Sequence, residues 1–149
     1  MNKLKIIVAT FFAVLCFVAC ESSEDISNGM DHSVPIYKVL TDSLIVNELE
    51  EIEIKVEVED EGALAKLEFF YADWNLRQLV DLRSQGAPKS YIFAVIIKIP
   101  EGAKKQWIED VVANDGTIYK RQQSYHRLQL LATDMSQNVR TIPIYIKVN

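Results

Sequence analysis

Ile52-Glu53-Ile54-Lys55-Val56-Glu57-Val58-Glu59 alternates apolar and charged residues without a break. A period of two is the period of a strand, whose successive side chains point to opposite faces. The apolar members are all β-branched and fit a pleated surface. The stretch therefore predicts a half-buried antiparallel strand with Ile52, Ile54, Val56 and Val58 facing a core. The next four residues, Asp60-Glu61-Gly62-Ala63, carry turn chemistry. Beyond them, Leu64 to Ala72 reads as a second strand, with Ala65, Leu67, Phe69 and Tyr71 on the inner face.

Working outward, the same alternation recurs. Val34 to Leu40 opens the domain, and Pro35 suits a first or edge strand. Leu44-Ile45-Val46 is a second short piece. Tyr91 to Ile99 is almost wholly apolar and predicts a central strand covered on both faces. Asn114-Asp115-Gly116 signals a hairpin. His126, Leu128, Leu130 and Ala132 share one face of a strand, and Ile142, Ile144, Ile146 and Val148 one face of the last. Pro143 lacks a ladder donor, so that last strand is expected at an edge or with its outward side free there; if unpaired on one side, it offers docking by strand addition. Residues 76–85 fit either a short helix capped by Asn75 or a strand through Leu79-Val80-Asp81-Leu82. About seven strands, no long helix and no repeat predict an all-β antiparallel sandwich over residues 34–149.

The first nineteen residues have a different character. Lys3 and Lys5 precede an apolar run from Ile6 to Ala19, interrupted only by Thr10. A charged start and a short apolar stretch define a secretory signal, too short to remain as a span. Phe17-Val18-Ala19-Cys20 resembles a bacterial lipoprotein signal, although Phe17 stands where leucine is usual. The resemblance implies acylation of Cys20, loss of Cys16, and anchoring of the new N-terminus to the bacterial outer membrane. Several alkyl chains at about 0.8 kcal/mol per buried methylene hold firmly where one does not. Glu21 to Ser33 is polar and acidic, a flexible tether with a reach of roughly 40 Å when extended. The acids after Cys20 also resemble the export signal of surface-exposed lipoproteins in the Bacteroidetes; a plain soluble spacer explains them equally.

Removing residues 1–19 takes away Lys3 and Lys5 and leaves 14 basic against 21 acidic residues, a net charge of −7. That balance, with no basic cluster, argues against a nucleic-acid partner. Cys20 would be the sole remaining cysteine, so the fold must rest on burial and not on disulfides.

Asp60-Glu61-Gly62-Ala63-Leu64 after an alternating strand, and Ala132-Thr133-Asp134-Met135-Ser136-Gln137-Asn138 before the last, look like immunoglobulin-like modules of bacterial surface proteins. Gln137 stands where those modules carry glycine. The layout is similar to small Bacteroidetes lipoproteins of unknown function, which implies an immunoglobulin-like sandwich and a location, and no activity.

Two constellations are candidates for a site. If the immunoglobulin order holds, Asp60 and Glu61 meet Asp134 and Asn138 at one end of the sandwich and offer oxygens for calcium. The competing role for such residues is bonding to their own turns. Trp74, Trp107, Tyr119 and Tyr125 fall near strand ends, where rings suit a glycan or an envelope protein; core packing competes for both tryptophans. His126 alone reads as structural. No Gly-x-Ser-x-Gly, His-Glu-x-x-His or phosphate loop occurs, so no catalytic residue or cofactor is assigned. The expectation is a non-catalytic, lipid-anchored binding module. A carboxylate-dependent hydrolase and a structural spacer are the alternatives.

Overall fold

The computed structural model describes residues 32–41 and 44–149. The signal segment, Cys20 and the tether up to residue 31 lie outside the described residues. Ten strands are formed among these: β1 (Ile36–Val39), β2 (Ile45–Val46), β3 (Glu51–Glu59), β4 (Leu64–Tyr71), β5 (Leu76–Asp81), β6 (Ser90–Lys98), β7 (Trp107–Val112), β8 (Ile118–Gln123), β9 (His126–Asp134) and β10 (Val139–Val148). They make a three-stranded sheet, β1-β3-β6, and a five-stranded sheet, β2-β10-β9-β4-β5. β7 and β8 pair only with each other. The fold is all-β and sandwich-like. The strand order is that of an immunoglobulin-type arrangement, with the first strand split between the sheets: β1 runs antiparallel to β3, and β2 runs parallel to β10.

The alternation of β3 suits its central place in its sheet. Ile54, Val56 and Val58 are fully buried, while Ile52 is only partly so. Across the interface stand Leu67 and Phe69 of β4, Leu128, Leu130 and Ala132 of β9, and the Ile142, Ile144 and Ile146 row of β10. Phe69 and Phe93 meet across the two sheets with ring centroids 5.7 Å apart. Each such buried side chain contributes about 1.5–3 kcal/mol by leaving water. In β4 the register shifts between Leu64 and Lys66, and this irregularity lets Leu64 and Ala65 both be buried.

Two expectations need correction. The strands number ten among the described residues, because the first strand is split and the stretch after β6 forms its own hairpin. β6 is not a central strand covered on both faces: it lies at the edge of its sheet, with Ile92 54% and Ile96 68% exposed. Apolar composition cannot tell a doubly covered strand from an edge with a greasy outer face. Of the two readings open for residues 76–85, Leu76–Asp81 takes the strand. Asn75 instead ends the 3₁₀ turn Ala72–Trp74 in the left-handed region (φ 50°), a conformation asparagine tolerates. β10 is not the outermost strand, since β2 pairs with Lys147 and Val148, but its outward side is free at Pro143, the other setting expected. That pairing does not reach Pro143, whose missing donor therefore disturbs nothing there.

The hairpin signal at Asn114-Asp115-Gly116 is realised. Ala113 N–H donates to Thr117 C=O at 2.8 Å, and Gly116 takes φ 84°, which only glycine adopts freely.

Candidate functional site

The 3₁₀ turn after β4, the loop before β7 and the start of β9 converge on His126. This residue begins an alternating inner row, so its ring enters the core end, where it is 1% exposed. A buried imidazole must satisfy both nitrogens. Nε2 lies 2.7 Å from the Lys104 carbonyl oxygen, which can only accept, so Nε2 carries the proton. Nδ1 lies 2.8 Å from the Tyr71 hydroxyl, which donates to it. Burial lowers the His126 pKa from its ordinary value and keeps the ring neutral. The Lys104 ammonium adds to that effect, against the opposing pull of the Lys104 carbonyl and the Asp73 carboxylate. Burial also raises the Tyr71 pKa, and the Asp73 carboxylate nearby raises it further, so the hydroxyl keeps its proton.

Aromatic rings enclose this pair. Trp74 packs on the imidazole at a centroid distance of 4.5 Å and Trp107 at 4.9 Å. Tyr71 meets Trp74 edge-on at 5.1 Å, the geometry that places a positive ring edge on a negative face. The Lys104 ammonium lies 6.0 Å from the Trp107 ring centre.

On the Trp107 side of His126 opens a cleft of about 570 Å³. It is lined by Tyr71 and Asp73, by Trp107, Glu109, Arg121 and Gln123 of the β7–β8 hairpin, and by Tyr125, Arg127 and Tyr145. The hairpin register sets Glu109 opposite Arg121 and Trp107 opposite Gln123. Glu109 accepts from Arg121 Nη2 at 2.6 Å and from Gln123 Nε2 at 2.6 Å. These bonds, that from Gln123 first, lower its pKa, so it stays an anion. Tyr145 lies directly opposite Arg127 in the β9–β10 ladder. Two carboxylates thus face two guanidinium groups among ring surfaces, and Arg127 pairs with no carboxylate among the described residues. On the Trp74 side a second hollow of about 360 Å³ lies against Glu101, Gly102, Ala103 and Lys104.

Of the four aromatic residues singled out by sequence, Trp107 and Tyr125 line the cleft, Trp74 backs His126 from the other hollow, and Tyr119 lies apart. Tyr119 sits opposite Val111, toward the tip of the hairpin, and is 47% exposed. Both tryptophans are half-buried. Arg121, Arg127, Tyr145 and the His126–Tyr71 pair were not singled out. Their only sequence signal was His126 taking the place of an aliphatic residue on an inner row.

The acidic turns do lie at one end. Leu64 is opposite Asp134, and Met135 N–H donates to Ala63 C=O at 2.9 Å. Each turn uses its aspartate internally. Asp60 Oδ1 accepts from Gly62 N–H at 2.9 Å and Ala63 N–H at 3.1 Å. Asp134 Oδ1 accepts from Asn138 N–H at 2.8 Å and its Oδ2 from Asn138 Nδ2 at 2.8 Å. Glu61 is exposed beside them. Among the described residues no three histidine, cysteine, aspartate or glutamate side chains gather as a metal site requires. Also among them, no helix is long and apolar enough to cross a membrane.

No protein-family model matches the chain, and no curated protein matches it significantly.

Proposed function

We propose that this chain is an exported, lipid-anchored module that binds a glycan of the cell envelope without catalysing its conversion. Cys20 carries the anchor, residues 20–33 the spacer, and the cleft beside His126 the ligand. The observation that supports this reading is the mixture in one hollow of Trp107, Tyr125 and Tyr145 with Arg121, Arg127, Gln123, Glu109 and Asp73. Sugar rings present apolar C–H faces, which stack on aromatic planes, and hydroxyl rims, which suit planar, multi-donor groups such as guanidinium and amide. The half-buried Trp107 ring, packed on His126, loses little entropy on binding. A hydrolase would need one of its two carboxylates protonated as an acid; Glu109, pinned by Arg121 and Gln123, is held in the opposite state.

A glycan array probed with the chain tests the reading directly. Binding to a defined glycan class that is lost at least tenfold in Arg127→Ala supports it; an array blank at high protein concentration removes it. The anchor is tested separately: Cys20→Ser should move the protein out of the membrane fraction.

A further inference from the structure

The four sheet edges of the sandwich, β1, β2, β5 and β6, are not alike, and β2 is only two residues long. β1 has four residues, including Lys38, and β5 carries Arg77 and Asp81. Short length and charge are the usual devices that keep an edge from pairing. β6 has neither. It runs nine residues, Ser90 to Lys98, with no proline, glycine or charge before its last position.

The parity of its backbone is set by the bonds at each end of the β3–β6 ladder. Asp60 N–H donates to Lys89 C=O, and Ile99 N–H donates to Glu50 C=O. Odd-numbered residues of β6 therefore bond to β3, and Ser90, Ile92, Ala94, Ile96 and Lys98 aim their N–H and C=O groups at the open edge. The same five residues put their side chains on the outer face, opposite Glu59, Glu57, Lys55, Glu53 and Glu51 of β3.

The centre of that row reads the same in both directions about Ala94: Ile92 and Ile96 stand two residues to either side, with the unlike Ser90 and Lys98 four residues out. We propose that β6 pairs antiparallel with β6 of a second copy of this chain, with Ala94 on the two-fold axis. Ile92 then lies opposite the partner's Ile96, Ala94 opposite the partner's Ala94, and Ser90 opposite the partner's Lys98. All five rows exchange backbone bonds, about ten in all. The two isoleucine pairs cover the patch that each copy leaves exposed. Lys98 falls between Glu51 of its own β3 and, past Ser90, Glu59 of the other copy, so no like charges oppose one another across the seam. A two-fold interface must be self-complementary, and this strand is. The two three-stranded sheets become one of six strands, and the cleft beside His126, built from other strands, takes no part.

Cysteine substitution reads the register. Opposed Cα atoms in a bonded antiparallel pair lie about 5.5 Å apart, within reach of a disulfide. In the full chain, Ala94→Cys should cross-link under mild oxidation at least tenfold faster than Lys98→Cys, each judged against the unsubstituted chain. Two copies of position 98 would be roughly 27 Å apart in this register. The double variant Ser90→Cys with Lys98→Cys should cross-link again, and adding Ile96→Lys to Ala94→Cys should abolish the excess while circular dichroism stays unchanged. Equal rates for Ala94→Cys and Lys98→Cys would overturn the proposal. So would a single-copy mass at every concentration, which is the outcome if β6 instead serves a different protein.

Discussion

His126 Nδ1 and the Tyr71 hydroxyl lie 2.8 Å apart although 55 positions separate them in the chain. The hydroxyl lies also 3.3 Å from Asp73 Oδ2. One proton serves this phenol, and while the imidazole is neutral it is given to Nδ1. Protonating the ring reverses that bond, so Tyr71 must accept from Nδ1–H and can turn its own proton to Asp73.

Stability should therefore fall on acidification. The His126 pKa is lowered in the folded state, so the unfolded chain takes up the proton first. The contribution is complete above the unfolded value of about 6.5 and is lost as pH falls from there toward the folded pKa. Chemical denaturation between pH 7.5 and 5 measures this. His126→Gln keeps a donor for Lys104 C=O and an acceptor for Tyr71 without titrating, and should flatten that part of the curve.

The two tryptophans should separate by readout. Trp74 packs on the main core and on Tyr71, so Trp74→Ala should cost about 2–3 kcal/mol, below the range for a fully buried ring. Trp107 belongs to the hairpin that shares no ladder with either sheet. Trp107→Ala should cost about 1 kcal/mol in denaturation while removing ligand binding.

Gln137 takes φ 70° in the turn between β9 and β10. A side chain in that region costs about 1–2 kcal/mol, partly offset in a glycine by its freer unfolded chain. Gln137→Gly should raise stability by about 0.5 kcal/mol, seen as a small rise in Tm.

Asp134 is buried and holds Asn138 through two bonds of 2.8 Å. Asp134→Ala should cost about 2–3 kcal/mol, because the loss leaves Asn138 N–H without its charged acceptor at a part-buried turn. Asp134→Asn should retain part of that, as equilibrium unfolding of the pair will reveal.

How much of the fold and site was legible depended on the range of the interaction. β3 declared itself because its alternation is local and its two faces see water and core. The turn at Asn114–Gly116 was equally local. β6 misled because Ile92 and Ile96 look the same in sequence whether a second layer covers them or not. Residues 76–85 were open because period alone did not decide between two short elements; pairing with β4 did, through Phe69–Gln78 and its neighbours. The His126 cluster was the least accessible. Tyr71 with Trp74, Lys104 with Trp107, and His126 come from three separate stretches of the chain, and only the closure of the sandwich brings them together.

The β7–β8 ribbon shares no ladder with either sheet, yet furnishes Trp107, Glu109, Arg121 and Gln123. In the proposed binding role, selectivity and scaffold are thus written in separable paragraphs. Residues along this ribbon can drift, lengthen or be exchanged wholesale while the layers beneath keep their stacking, so related chains could acquire new tastes by grafting a single finger.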